Sequence, residues 1–148
     1  MDKKLWLGGA MLAAMLVGWG APAWADIGQV KVVKGQVSIE RKGQRLPAQV
    51  GMTLESADVL RTGADGAVGI AMRDESRLSA GPNSVLALER FEFDATTSKG
   101  RFDSQLQRGT LSVVSGRIAK QSPQDMSVRT PTAVLGVRGT QFVVAVDE

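Results

Sequence analysis

The chain of 148 residues has no cysteine, no histidine and no tyrosine. Without Cys and His, Cys-His nucleophiles, Ser-His-Asp triads and the usual Zn, Cu or haem ligand sets are excluded. Without Cys, stability in an oxidising compartment must come from packing and sheet hydrogen bonding rather than from disulfides. Aromatics are scarce: three Trp and four Phe, with all three Trp (Trp6, Trp19, Trp24) in the first 25 residues. An excess of one charge sign is also missing, since 18 basic residues face 15 acidic ones. Such a balanced surface is not the footprint of a polyanion binder, and no nucleic-acid partner is expected. Nor is there a long apolar run. The one candidate, 5–17, falls short of the roughly 20 residues that span a bilayer.

What that short run does resemble is an export signal. Lys3 and Lys4 precede it, Gly18, Gly20 and Pro22 break it, and Ala23-Trp24-Ala25 supplies the small-x-small pattern read by signal peptidase. Cleavage after Ala25, leaving Asp26 first, is expected, with Ala23 as the nearest rival site. The uncleaved alternative is a membrane anchor. No cysteine follows the site, which excludes a lipoprotein anchor. The expected organisation is a signal peptide over 1–25 and one domain over 26–148. Removing Lys3, Lys4 and Asp2 takes the 18 basic and 15 acidic residues to 16 and 14, a net of +2. The four aromatics left are then Phe91, Phe93, Phe102 and Phe142.

The remainder reads as many short strands. Val30-Lys31-Val32, Val37-Ser38-Ile39, Val68-Gly69-Ile70-Ala71-Met72, Leu86-Ala87-Leu88 and Leu111-Ser112-Val113 alternate at period two, with glycines between them. No long amphipathic helix interrupts them. The fold class is therefore all-β: a rolled or coiled arrangement of short strands, or alternatively a two-sheet sandwich. Gly35 and Gly43 suggest meander hairpins over 28–46. Asp74-Glu75-Ser76 and Pro82-Asn83 suggest turns, and 94–101 and 120–125 suggest polar surface loops.

Five passages carry a family resemblance. They are Gly28-Gln29-Val30 with Gly35-Gln36-Val37-Ser38-Ile39; Gly51-Met52-Thr53-Leu54 leading to Asp58-Val59-Leu60-Arg61-Thr62-Gly63; Ala67 to Ser76; Leu106 to Gly109; and Met126 to Thr140. The last ends in Val137-Arg138-Gly139-Thr140-Gln141-Phe142, before a strand that puts Phe142, Val144 and Val146 on one face. Together they resemble the FecR-like domain, an extracytoplasmic β module named for the ferric-citrate regulator. Two departures stand out: Ala57 and Glu75 occupy positions where that pattern has glycine. In the family's best-known members the domain follows a cytoplasmic anti-sigma segment and a membrane helix. Neither is recognised in this sequence, so a stand-alone exported copy in the periplasm or outside the cell is expected, touching membrane only through its uncleaved signal.

The resemblance implies binding or signal sensing in the cell envelope, and the residue inventory, with no calcium-loop motif, leads to the expectation of no cofactor, no metal and no catalytic residues. A structural envelope component that binds cell-wall glycan is the alternative. The family-signature residues are Arg61, Thr62, Gly63, Asp74, Gly136, Arg138, Gly139 and Thr140. Arg138 can offer its guanidinium fork to a partner's carboxylate, or pair internally with Asp58 or Asp74; the internal role is preferred. Asp74 and Glu75, adjacent on a turn, point apart and read as solvated rather than as a glycosidase pair. Arg41, Lys42 and Arg45 read as a solubilising basic hairpin tip. Partners are expected to be envelope proteins that dock on an exposed strand edge or on the loops 94–101 and 120–125.

Overall fold

The computed structural model describes residues 26–137 and 140–147. Twelve strands form one continuous sheet. They are β1 (Gly28–Lys34), β2 (Val37–Arg41), β3 (Gln44–Pro47), β4 (Thr53–Leu54), β5 (Val59–Thr62), β6 (Ala67–Met72), β7 (Arg77–Ala80), β8 (Val85–Phe93), β9 (Gly100–Val114), β10 (Met126–Arg129), β11 (Val134–Gly136) and β12 (Gln141–Val146). A short helix α1 (Arg117–Gln121) and a 3-10 turn (Pro123–Asp125) link β9 to β10. The all-β fold is thus established, and the sheet is rolled on itself. The 120–125 segment, expected as a loop, is half of this helical link, and Gly100 and Arg101 belong to β9 rather than to the 94–101 loop.

The roll has a simple origin. β9 is long enough to serve two half-sheets. Its first part pairs with β8 and with β10, and its second part with β7 and β12. All these pairings are antiparallel except β9 with β10. Along one edge of β9, β7 and β8 are a single path bent at Gly81-Pro82-Asn83-Ser84. β1 and β2 repeat the arrangement: β1 pairs with β6 and β2 with β5, with the bend at Gly35-Gln36. The expected β1–β2 hairpin is therefore absent, because a glycine that lets a strand turn a corner reads the same as one that closes a hairpin. The β2–β3 hairpin is as expected, with Lys42 and Gly43 both at positive φ, 51° and 78°.

A bend demands that inward and outward faces be re-phased. In β9 the buried positions are Phe102, Ser104 and Leu106 before the corner, then Leu111 and Val113 after it. The extra residue lies opposite Val85 and Leu86, where the register skips from Arg108 to Leu106. Gly109 next to it has φ +93°, and an added Cβ would sit 2.6 Å from that of Ser84. A second skip between Leu88 and Arg90 re-phases β8, so that Leu88 and Phe91 both face inward. The two half-sheets close on one apolar core that includes Ile39, Leu60, Leu78, Leu86, Leu106 and Leu111. Phe91 and Phe102 meet edge to face at 5.2 Å within it.

Candidate functional site

The corner itself is a seam of small polar groups. Thr62 Oγ1 donates to Gly81 O (2.6 Å) and accepts from Ser84 N (2.8 Å), while Ser84 Oγ accepts from Thr110 N (3.0 Å). Gly63 N donates to Gln36 O (2.8 Å), and Asn83 N to Gly63 O (3.0 Å). Backbone groups left unpaired where the strands bend are satisfied this way. Thr62 and Gly63, expected as signature residues, are thus parts of the hinge line of the sheet.

On the outer face beside this seam lies a groove of about 730 Å³. Its walls come from four strands and their links: Gly35 to Ser38, Arg45, Pro47, Ala48, Arg61 to Gly63, and Arg108. One cross-strand row runs through it, Pro47 opposite Ser38, Ser38 opposite Arg61, Arg61 opposite Val85, and Val85 opposite Arg108. Val85, between the two arginines in this row, is buried at 2% exposure, while Arg61 and Arg108 both line the groove. Glu40 is the acid that faces this row. Its Oε1 is 3.3 Å from Arg45 Nη2 and 3.0 Å from Arg61 Nε. The Arg61 N–H is not aligned with that oxygen, so the contact is a charge pair without a hydrogen bond. Arg61 first, then Arg45, holds the Glu40 carboxyl below its ordinary value. Arg108, exposed, has no hydrogen bond or ion pair among the described residues.

Other predicted residues take structural duties. Asp58 is 1% exposed and receives a bidentate contact from Arg41, Nε to Oδ1 at 3.0 Å and Nη2 to Oδ2 at 2.8 Å, plus Glu55 N at 2.9 Å. Arg41 is therefore no part of a solvated tip. Its guanidinium is held charged chiefly by the Asp58 hydrogen bonds. Asp74 is wholly buried, which corrects the solvated-turn reading. It accepts from Ser76 N (3.0 Å), Ser76 Oγ (2.8 Å) and Ile118 N (3.3 Å), clamping the β6–β7 turn to α1. Glu75 beside it is exposed. Thr140 O accepts from Ser115 N (2.8 Å), and Gly116 N donates to Ser76 Oγ (3.0 Å). The closing signature and the Asp74 turn therefore converge on the 115–116 link. Gly136 ends β11, opposite Ser127.

Arg138 and Gly139 lie outside the described residues, as do Ala23 and Ala25; Asp26 is exposed at the start of the described chain. The two carboxylates offered to Arg138 are engaged by Arg41 and by the α1 clamp. Of the signature residues that are described, Arg61, Thr62 and Gly63 border the groove, and Asp74, Gly136 and Thr140 do not. Arg108 and Val85 were not singled out from the sequence. No local pattern marks them, since their relation to Arg61 exists only through the register of three strands. Among the described residues no His, Cys, Asp and Glu cluster could hold a metal ion, and no helix is long and apolar enough to cross a membrane.

The rolled, largely antiparallel sheet thus carries a groove walled by Arg45, Arg61 and Arg108. The chain matches the family model for FecR protein over residues 58–148, more than half of its length, and it belongs to that family. No curated protein and no solved structure matches it. The family is a regulatory one rather than an enzymatic one, which points to signalling at the envelope. The match begins at Asp58, so β1–β4 precede it, although β1 and β2 pair directly with β6 and β5 inside it.

Proposed function

We propose that this chain is a non-catalytic, exported binding module that senses or relays a signal by holding another protein in the cell envelope. The observation that carries this reading is the groove beside the corner. It is open and walled by three arginines, Arg45, Arg61 and Arg108, on the face of the sheet. Family membership supports the regulatory class. The Ala23-Trp24-Ala25 motif after a short apolar run supports export to the periplasm or beyond. A glycan-binding role is less favoured by the aromatic inventory, because Phe91 and Phe102 are buried, Phe93 and Phe142 are half-buried against the core, and stacking on sugar needs exposed rings.

The test is a parallel capture. The chain without residues 1–25 is immobilised and exposed to an envelope protein extract and to purified insoluble cell wall. Retention of a specific envelope protein is the expected result. Retention by cell wall alone overturns the protein-partner reading in favour of the structural one.

A further inference from the structure

The way Glu40 is held defines what else the groove can take. A single oxygen of Glu40 is shared between Arg45 and Arg61, at a long 3.3 Å in one case and without an aligned N–H in the other. Both are weaker than the forked, 2.7–2.9 Å contacts that guanidinium makes with carboxylate when geometry permits. Arg61 Nε has no exposure to water and no hydrogen-bond partner. The Arg61 side chain as a whole is 34% exposed and lines the groove, so an incoming carboxylate meets its outer guanidinium edge. Arg108 stands across Val85 from Arg61, two strand spacings or roughly 10 Å away at the backbone, and pairs with no acid among the described residues.

We propose that the groove binds a carboxylate side chain from an acidic segment of a protein partner, seated between Arg61 and Arg108. Glu40 acts as the internal competitor for Arg61. This rests on the binding-module reading above. The neighbouring strand edge does not recruit the partner by strand pairing. Ala48 N donates inward to Val37 O (3.0 Å), so by alternation Arg45 and Pro47 present their backbone outward, and Pro47 has no N–H. Recognition therefore comes from side-chain charge on the sheet face, and the near-neutral whole chain conceals it.

The probe is a fluorescent decapeptide of alternating Glu and Gly, titrated against the chain lacking residues 1–25 at low salt and compared with its Gln-for-Glu counterpart. Arg108→Gln is expected to weaken binding about tenfold. Glu40→Gln is expected to strengthen it several-fold, because it frees Arg61. Lys31→Gln, a cation on the other half-sheet, is expected to leave it unchanged. Arg108 is exposed and unpaired, so its variant should melt like the parent. Equal losses for Lys31→Gln and Arg108→Gln, or no gain for Glu40→Gln, overturn the proposal. So does displacement by inorganic phosphate at concentrations where free glutamate has no effect. Capture from envelope extract separates the two levels. If the parent and Arg108→Gln retain the same protein, the groove assignment fails and the module reading stands. If the parent retains none, the module reading fails, and the peptide titration alone decides the groove.

Discussion

Ala57 and Glu75 hold φ angles of +73° and +71°, where a Cβ crowds the adjoining backbone. These are the two positions at which the sequence departs from glycine in the family pattern, so two of the five described non-glycine residues at positive φ are marked in the amino-acid sequence itself. Replacing either by glycine relieves about 1–2 kcal/mol of strain against about 0.5–1 kcal/mol of added unfolded-chain entropy. Ala57→Gly and Glu75→Gly should each raise stability by up to about 1 kcal/mol, read as a higher melting temperature; a fall in both would contradict the strain argument. Ser104 is a second case. It is wholly buried in β9, and its hydroxyl lacks a hydrogen-bond partner. Ser104→Ala removes an unsatisfied polar group at little loss of volume, and should stabilise by about 1 kcal/mol in denaturant titration. Asp74 shows the opposite limit on what residues reveal. Its partners include Ile118, which is 44 positions away, so nothing local distinguishes it from a solvated turn acid.

Strands were legible where alternation was clean, as in β6, whose buried positions are Val68, Ile70 and Met72. Their pairing was not, because glycines at corners and at hairpins look alike in one dimension. β9 shows why. Its parity changes at the corner, so a period-two pattern breaks in the middle of one strand of 15 residues, leaving only Leu111-Ser112-Val113 visible. Gly109 enforces that change. Gly109→Ala places a Cβ against Ser84 in a left-handed backbone, and should cost about 3 kcal/mol or more. That corresponds to a melting temperature lower by on the order of 10 °C. Little change would mean that the corner relaxes around the methyl group. The α1 link was missed because five residues carry almost no helical period. It is held by Asp74, whose removal strands the donors of Ser76 and Ile118 together. Asp74→Ala should cost about 2–4 kcal/mol. It should also raise amide hydrogen exchange across 117–121 before it does so in β9, whereas uniform loss of protection would show that α1 is not an independent unit.

At the scale of the whole molecule, β1–β4 and the family-matched remainder form a single sheet with one core, so the region before Asp58 is a working part of the fold. If the first 25 residues are removed on export, the recovered protein contains neither Trp nor Tyr and should barely absorb at 280 nm; strong absorbance would show that the Trp-bearing start was kept. Charge sets the conditions under which the roll is stable. Burial pushes the Asp103 carboxyl up, but Arg101 at 2.7 Å and the Ser127 hydroxyl outweigh it and leave the pKa below its ordinary 3.8. Glu40 is held below its ordinary 4.5 by Arg61 and Arg45. A folded-state pKa below the unfolded value means that the unfolded chain takes up the proton first as pH falls. The stabilisation from both groups is therefore complete above those ordinary values, and is lost as pH drops through the lowered folded ones. The melting temperature should accordingly vary little from about pH 8 to pH 5 and decline below about pH 4. Arg101→Gln removes the charge that opposes burial at Asp103. Its Asp103 should protonate more readily, which shrinks the gap to the unfolded value, so the melting temperature at neutral pH should be lower and the acid decline shallower, the variant and the parent converging at low pH. An acid limb superimposable on the parent's would show that the Arg101–Asp103 pair, which joins the face of β9 to Ser127 of β10, contributes nothing to folding.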